Sequence, residues 1–245
     1  MERIIKARRS VIIAADVPDA KSLQKLILGV KDVPGIGGFK LGFELGLQNL
    51  NSMAAIIRSN FSNKDIPIIY DHQKAGNDIP DMGINFARIL KKSNINAAIL
   101  FPFTGPVTQE KWTKSCIDAG LQVLTGGIMT HPKCLVSEGG YIADEAPERI
   151  FRLACQLGVR HFVVPGNKIE WAVKLRALLI KELGEGNFVL YAPGFITQKG
   201  DISECGQVAG ENWHAIVGSA IYGKGELNSL EKMKEAAITI TRQII

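Results

Sequence analysis

The stretches Val11-Ile-Ile-Ala-Ala-Asp16, Gly37-Gly-Phe-Lys-Leu-Gly42 and Ile66-Pro-Ile-Ile-Tyr-Asp71 are short apolar runs, two of which end in a carboxylate. Five further runs end in glycine, proline or a polar residue, and they occupy Ala97–Pro102, Gln122–Gly126, His161–Pro165, Phe188–Pro193 and Ala215–Ser219. Nearly continuous hydrophobicity over so few residues is typical of a strand that is buried on both faces. The sequence therefore predicts eight buried strands.

Segments with a helical period and a polar face separate these runs. They are predicted at residues 20–31, 44–60, 80–93, 108–119, 147–157, 168–183 and 229–244. Eight strands that alternate with about eight helices indicate a (β/α)8 barrel, and a doubly wound open sheet is the alternative. The chain has 245 residues, a usual length for one barrel, and no linker or shift in composition divides it. We therefore predict a single TIM-barrel domain over residues 1–245.

Composition excludes several classes of protein. Hydrophobic residues make up 46% of the chain and charged residues 22%, which excludes a disordered or fibrous chain. The net charge is +5, but the only tight basic cluster, Lys6, Arg8 and Arg9, is too small for a nucleic-acid-binding tail. No apolar run approaches the roughly 18 residues that span a bilayer, and the first nine residues lack the pattern of a signal peptide. We predict a cytoplasmic protein with no nucleic-acid or membrane partner.

Metal sites and disulfides are not indicated by the sequence. The four cysteines include no C-x-x-C pair, and the four histidines include no H-x-x-x-H pair. The cysteines are therefore interpreted as reduced, mostly buried thiols, and no metal-binding residues are predicted.

The third predicted strand ends in the densest group of charges. The stretch Tyr70-Asp-His-Gln-Lys-Ala-Gly-Asn-Asp-Ile-Pro80 places Lys74 between Asp71 and Asp78, and Lys40 lies near the end of the preceding strand. Active sites of (β/α)8 barrels lie at these strand ends. Alternating charges can keep each other ionised, repel a substrate anion and deliver a proton to a nascent carbanion. An ordinary solvated loop is the alternative from spacing alone.

Five stretches, in chain order, resemble motifs of the orotidine 5′-monophosphate decarboxylase family. They are Ile12-Ile-Ala-Ala-Asp16, Phe39-Lys-Leu-Gly-Phe-Glu44 with the following Asp…Lys…Asp-Ile-Pro loop, Met129-Thr-His-Pro132, Val163-Val-Pro165 and Ala192-Pro-Gly-Phe-Ile-Thr-Gln-Lys-Gly-Asp201. The resemblance extends from the first strand to Ser219 and falls at predicted strand ends. It implies a carboxy-lyase of pyrimidine biosynthesis that converts orotidine monophosphate to UMP and needs no metal or organic cofactor.

The resemblance also implies a role for each matching residue. Lys40, Asp71, Lys74 and Asp78 would form the catalytic charge network, in which Lys74 donates a proton to C6 and Asp71 faces the substrate carboxylate. Asp78 would come from the other subunit of a homodimer. The substrate-binding residues would be Asp16 at the ribose, Thr130 at the pyrimidine amide, and Ile79, Pro193, Gly194, Gln198, Gly218 and Ser219, with Gln198 and the backbone around Gly218 at the phosphate. From the residues alone, Asp16 is also a candidate helix cap, Lys40 a snorkelling lysine and Thr130 a turn residue.

Three features depart from the family pattern. The loop is Asp71-x-x-Lys74-x-x-x-Asp78, whereas the family has Asp-x-Lys-x-x-Asp, and a bulge or a loop widened at Gly76 would accommodate the longer spacing. Ser219 stands where the family has an arginine that binds the phosphate. Lys199 or Lys224 would have to supply the missing positive charge. Asp81-Met82 follows Asp-Ile-Pro, so the usual threonine is absent.

Two alternative functions stay open. One is a magnesium-dependent sugar-phosphate lyase of the same barrel group, whose loop resembles this one but lacks the Ile79-Pro80 pair. The other is a nucleotide-binding barrel that has lost catalysis, which the stretched loop and Ser219 would explain.

Overall fold

Eight parallel strands pair in chain order and close into a barrel in the computed structural model, which describes residues 2–61, 65–72, 75–194 and 202–244, with only the backbone of 202–205. The strands are β1 (Arg9–Ala15), β2 (Ile36–Gly42), β3 (Ile68–Asp71), β4 (Ala97–Leu100), β5 (Gln122–Gly126), β6 (His161–Val163), β7 (Val189–Ala192) and β8 (Trp213–Val217). β8 pairs with β1, and this closure places Ile13 opposite Val217. The predicted (β/α)8 barrel is confirmed, and the open sheet is excluded.

Helices cover the outside of the barrel between the strands. They are α1 (Ala20–Val30), α2 (Phe43–Ser59), α3 (Gly83–Lys92), α4 (Pro106–Asp118), α5 (Ala146–Gln156), α6 (Ile169–Leu183), α7 (Ile202–Ala209), α8 (Ser219–Tyr222) and α9 (Leu230–Ile244). Short 3-10 turns occupy Pro80–Met82 and Val136–Glu138, so the helix predicted from residue 80 begins as a 3-10 turn instead. α7 and α8 have no counterpart among the predicted helical segments, because α8 has four residues and α7 contains a glycine and a serine.

The cap of α1 decides one alternative interpretation of Asp16. The Asp19 side chain accepts a hydrogen bond from the Ser22 backbone N–H at 2.7 Å, which is the geometry of an N-cap. Asp16 therefore does not cap α1, and it lies directly after β1.

Alternate strand residues face the helices or the interior of the barrel. Ile12, Ile69, Ile99, Leu124 and Ile216 pack inside the barrel, whereas their strand neighbours pack against the helices. Both faces of the sheet are thus apolar, which explains the nearly continuous hydrophobic runs in the sequence. Among the described cysteines, Cys116, Cys134 and Cys155 are buried and free. No helix within the described ranges is long and apolar enough to cross a membrane.

A buried polar cluster fills the amino-terminal end of the barrel interior. Ser10 Oγ and His214 Nδ1 lie 2.8 Å apart, and the Tyr191 hydroxyl donates to His161 Nδ1 at 3.1 Å. His161 Nε2 donates to the Glu2 backbone carbonyl at 3.2 Å, so the N-terminal segment lies against this cluster. Burial lowers the pKa of His161 to about 4 and the pKa of His214 to about 3. Both imidazoles are therefore neutral at physiological pH.

The two buried histidines predict that acid destabilises the fold. Both histidines have an ordinary pKa of 6.5, so below that pH the unfolded chain takes up protons that the folded chain resists. The stabilisation from the two neutral histidines should be fully present above about pH 6.5. The free energy of unfolding should fall by about 4 kcal/mol by about pH 5. Urea unfolding at the two pH values measures the loss.

Comparing wild type with a histidine variant shows whether the loss of stability in acid comes from the histidines or from other acid-sensitive groups. His214→Asn removes one titrating group, so the stability gap between wild type and variant should shrink by about 2 kcal/mol between about pH 7.5 and about pH 5. His131→Asn, at an exposed histidine, is the matched control and should leave the gap constant. A gap that does not change with pH in His214→Asn would contradict the prediction.

Candidate active site

A cavity of about 320 Å³ lies at the carboxyl ends of the strands. Eight of the residues singled out in the sequence line it: Asp16, Lys40, Asp71, Thr130, Pro193, Gly194, Gly218 and Ser219. Asp78 and Ile79 are described but do not line it, and Lys74 and Gln198 lie outside the described residues. The strand ends thus bring together residues that are separated by up to two hundred positions in the chain.

Lys40 is a buried ammonium between two carboxylates. Its Nζ lies 3.1 Å from Asp16 Oδ1 and 3.4 Å from Asp71 Oδ2, and only 7% of its side chain is exposed. Burial alone would lower the pKa of Lys40, but the two carboxylates outweigh burial and raise it above its ordinary value. Lys40 therefore keeps its proton within the cavity and does not snorkel to bulk solvent.

Asp71 presents an oxygen that the Lys40 contact does not use. Its side chain is 14% exposed, and Oδ1 is buried with no hydrogen-bond partner among the described residues. A buried carboxylate oxygen is costly unless a donor satisfies it. The cavity therefore offers an acceptor site next to the Lys40 ammonium.

Asp16 is held by close contacts with β2 and α8. A Cβ atom at Gly42 would lie 2.6 Å from Asp16 Oδ1, so a larger residue would displace this carboxylate from its present position. The Tyr222 hydroxyl donates to the Asp16 carbonyl at 3.3 Å, and it also lines the cavity. Burial raises the pKa of Tyr222 to about 12, and the Asp16 carboxylate adds to this effect, so the phenol remains a donor.

The loop after β3 is fixed against the segment that follows β4. Gly76 adopts a φ of +93°, a left-handed conformation that favours glycine. The Phe101 backbone N–H donates to the Ala75 carbonyl at 2.9 Å, and the Thr104 hydroxyl donates to the Gly76 carbonyl at 3.2 Å. The glycine thus turns the chain at the position where the sequence predicted that a longer loop would need flexibility.

Residues 77–79 of the same loop are held by donors from the β4–α4 segment and α4. The three bonds join the Phe103 N–H to Asn77 Oδ1 at 2.8 Å, the Thr108 hydroxyl to the Asp78 carbonyl at 3.2 Å, and Trp112 Nε1 to the Ile79 carbonyl at 3.0 Å. The far end of the loop is therefore well anchored, although its side chains point away from the cavity.

The comparisons with known proteins point to one fold. No family model matches the sequence. The solved orotidine 5′-monophosphate decarboxylase from Methanocaldococcus jannaschii, complexed with the inhibitor BMP, aligns with a TM-score of 0.78 at 23% identity over 96% of this chain and 98% of that one. The Pyrococcus horikoshii enzyme gives 0.71 at 23% identity over 95% and 98%, and the Sulfolobus solfataricus enzyme gives 0.67 at 19% identity over 97% and 99%. The chain has the orotidine 5′-monophosphate decarboxylase fold.

One residue expected at the site of a decarboxylase lies outside the cavity of this single chain. Asp78 is exposed, and its Oδ1 accepts a hydrogen bond from the Ile79 N–H at 2.7 Å. Ile79 is 62% exposed beside it. One copy of the chain therefore does not bring Asp78 to Lys40.

One side of the cavity is formed by an apolar wall and Thr130. The Thr130 carbonyl accepts from Asn167 Nδ2 at 3.0 Å, and Lys168 pairs with Glu138 at 2.6 Å to hold the loop after β5. The hydrogen bond from Lys168 lowers the pKa of Glu138. The lining residues that sequence reasoning missed include Ile99, Phe101, Ile128, Ile216 and Tyr222.

Phe101 reaches the cavity because a glycine on the neighbouring strand leaves room for its ring. The residue directly follows β4, and a Cβ atom at Gly126 would lie 2.2 Å from its ring, so the glycine at the end of β5 makes room for the phenyl group. The sequence shows an aromatic residue and a glycine at the ends of neighbouring strands, and the structure shows that they are in contact.

No arginine lines the described part of the cavity, one side of which is formed by residues that follow β7 and β8. Gly194, with a φ of +99°, and half-buried Ser219 line the cavity, whereas Lys224 is exposed and does not. Lys40 is the one cation among the described lining residues, and it already forms ion pairs with two carboxylates. Lys199 lies outside the described residues. No group of three or more metal-ligating side chains occurs in the part of the chain that the structure describes.

Proposed function

We propose that this chain is an orotidine 5′-monophosphate decarboxylase that converts orotidine monophosphate to UMP without a metal or organic cofactor, as a cytoplasmic homodimer. The observation that carries the proposal is the buried Lys40 ammonium between Asp16 and Asp71, in a cavity at the strand ends of a barrel with the decarboxylase fold. Lys40 and Asp71 are two of the four residues of the charge network that the family resemblance implies, and Asp16 is the residue that it implies at the ribose. Thr130 would bind the pyrimidine amide, and Asp16 would bind the ribose hydroxyls.

The proposed reaction uses Asp71 and Lys74 in different ways. The substrate carboxylate lies against Asp71, and repulsion between the two anions is relieved when the bond from C6 to the carboxylate breaks and carbon dioxide leaves. The electron pair remains on C6, which takes a proton from the Lys74 ammonium. Lys74 then regains a proton from solvent. Lys40 is not the donor in this scheme, because its raised pKa makes it a poor acid.

The proposed dimer would cover exposed apolar side chains near the β3 loop. Phe43 and Leu47 on α2 are 46% and 73% exposed, Ile84 on α3 is 66% exposed and Val107 on α4 is 62% exposed. Together with Ile79, they lie on consecutive elements around the loop that carries Asp78. Exposed apolar groups of this kind mark protein interfaces. A second copy seated here would deliver Asp78 to the neighbouring cavity.

The test of the function uses purified protein and orotidine monophosphate. We expect loss of the orotate absorbance and formation of UMP, unchanged by a chelator. A magnesium-dependent lyase would leave orotidine monophosphate intact and turn over a hexulose phosphate only without chelator. A barrel that has lost catalysis would bind UMP in calorimetry but release no carbon dioxide. Either outcome would overturn the proposal.

Gly42→Ala is expected to weaken substrate binding by displacing Asp16. The added methyl group would meet Asp16 Oδ1 at 2.6 Å, and losing a charged hydrogen bond to the ribose should raise KM about tenfold or more. The double variant Asp16→Ala/Gly42→Ala should have the same KM as Asp16→Ala, because the methyl group then has nothing to displace. Additive losses would show that Gly42→Ala acts elsewhere.

Ser219→Arg is expected to tighten phosphate binding, and Lys199→Ala to weaken it. If exposed lysines supply the attraction to phosphate, the wild-type KM should rise steeply with salt. An arginine at position 219 would add a bidentate contact and lower both KM and its salt dependence. KM for the three proteins across a salt series measures this. A KM that Lys199→Ala leaves unchanged and Ser219→Arg raises would place the phosphate elsewhere.

A further inference from the structure

A hydrogen bond joins the two residues on either side of Asp71. The Tyr70 hydroxyl and His72 Nδ1 lie 2.5 Å apart, with ring centroids 5.6 Å apart. Burial raises the pKa of Tyr70 to about 12, and the Asp71 carboxylate adds to this, so the phenol keeps its proton and can donate it. With the imidazole proton on Nε2, His72 Nδ1 accepts this hydrogen bond.

The phenol in this pair is held firmly from both sides. Tyr70 is 5% exposed. A Cβ atom at Gly46 of α2 would lie 2.7 Å from its ring, and the Phe86 ring of α3 lies 6.2 Å away between centroids. The exposed His72 side chain is therefore tied to a rigid group that is packed between two helices.

The position of this bond connects it to the candidate active site. Side chains alternate along β3, so Tyr70 and His72 lie on the helix side while Asp71 faces the cavity. A bond between the flanking side chains fixes the backbone on both sides of Asp71. Hydrogen bonds from the β4–α4 segment and α4 anchor the far end of the same loop at residues 75–79. The Tyr70–His72 bond anchors the near end, two residues before Lys74.

We propose that His72 is a positioning residue for the decarboxylation: its imidazole accepts a hydrogen bond from the Tyr70 hydroxyl and so holds the backbone of Asp71 in place. This inference rests on the proposed function. The family pattern does not supply it, because this loop has one extra residue in each interval and needs its own anchor.

Few ionisable groups surround the Tyr70–His72 pair in the described structure. The hollow beside it, of about 390 Å³, is lined by Asp78 from the loop, Asn85 and Phe86 from α3 and Trp112 from α4. On β3 its neighbours are Tyr70 and Asp71, and α2 contributes Gly46 against the Tyr70 ring. The ionisable groups nearest to the pair in the described structure are Asp78, which lines the hollow, and Asp71, which lies between the two residues in the chain and faces the cavity.

The test compares kcat and KM for wild type, His72→Asn, His72→Phe and Tyr70→Phe. His72→Asn places an uncharged acceptor near the position of Nδ1, so it should keep kcat within about twofold of wild type. His72→Phe and Tyr70→Phe should each lower kcat about tenfold with little change in KM, and the double variant should be no worse than either. Tyr141→Phe, at a fully exposed tyrosine, is the matched control.

The outcomes separate this inference from the function on which it rests. A wild-type protein that does not decarboxylate orotidine monophosphate refutes both. A kcat that His72→Phe leaves unchanged, or additive losses in the double variant, refutes the role of His72 alone. Histidine NMR gives a readout that does not depend on activity: Tyr70→Phe should shift the Nδ1 resonance of His72, because the imidazole loses its donor, and an unchanged resonance would overturn the proposal.

Discussion

Replacing Lys74 with alanine is expected to lower kcat for orotidine monophosphate by about a hundredfold or more, while the barrel stays folded. This factor is the usual contribution of a general acid to the rate. Two observations on its neighbours support this assignment. Asp71 Oδ1 is a buried acceptor without a partner among the described residues, which a second ammonium would satisfy. Lys40 has a raised pKa and already contacts two carboxylates, so it is a poor proton donor.

The measurement for Lys74→Ala separates chemistry from binding and folding. Steady-state kinetics should show the loss mainly in kcat, because proton donation occurs only after the substrate has bound. Calorimetry with UMP and thermal unfolding should remain close to wild type. Lys92→Ala, at an exposed lysine of α3, is the matched control. Turnover of Lys74→Ala within about tenfold of wild type would show that another group donates the proton.

Mixing two inactive variants, Lys74→Ala and Asp78→Ala, is expected to restore about a quarter of wild-type activity. Random exchange makes half of the dimers hybrid. If each site combines Lys74 of one chain with Asp78 of the other, a hybrid holds one site with both defects and one intact site. The exposure of Asp78, away from the cavity of its own chain, is the structural basis for this expectation.

A matched mixture tests the geometry of the shared site. Asp71→Ala mixed with Lys74→Ala should give no rescue, because both residues belong to the same half of a site and every hybrid site keeps one defect. Subunit exchange is verified separately by native mass spectrometry of a labelled and an unlabelled chain. Absence of rescue in the Lys74→Ala and Asp78→Ala mixture, despite verified exchange, would contradict the shared site.

The barrel and its charged strand ends could be predicted from the sequence. They follow from the hydrophobic periodicity of the segments and from the order of the strands along the chain. Parallel strands that pair in chain order bring their carboxyl ends to one rim, so Asp16, Lys40 and Asp71 had to lie near each other. The start of α3 could not be predicted in the same way, because Pro80 fits the first turn of a 3-10 helix as well as that of an α-helix.

Other parts of the site depend on side-chain packing between elements that are distant in sequence. The exposure of Asp78 is set by hydrogen bonds from Thr108 and Trp112, which no local pattern reveals. The Tyr70–His72 bond depends on how α2 and α3 confine one ring. Phe101 lines the cavity because Gly126 makes room for it. Each of these features is decided by a distance of a few ångströms between neighbouring elements.

The contact between Gly42 and Asp16 also has a consequence for sequence variation among relatives. Gly42 has a φ of −93°, a conformation that is open to any residue, so the backbone does not require glycine there. The requirement comes from the Asp16 carboxylate, which would meet a Cβ atom at 2.6 Å. Positions 16 and 42 should therefore covary: relatives that keep an aspartate at the first position should keep glycine at the second, and relatives with a shorter side chain at the first should be free to replace the glycine.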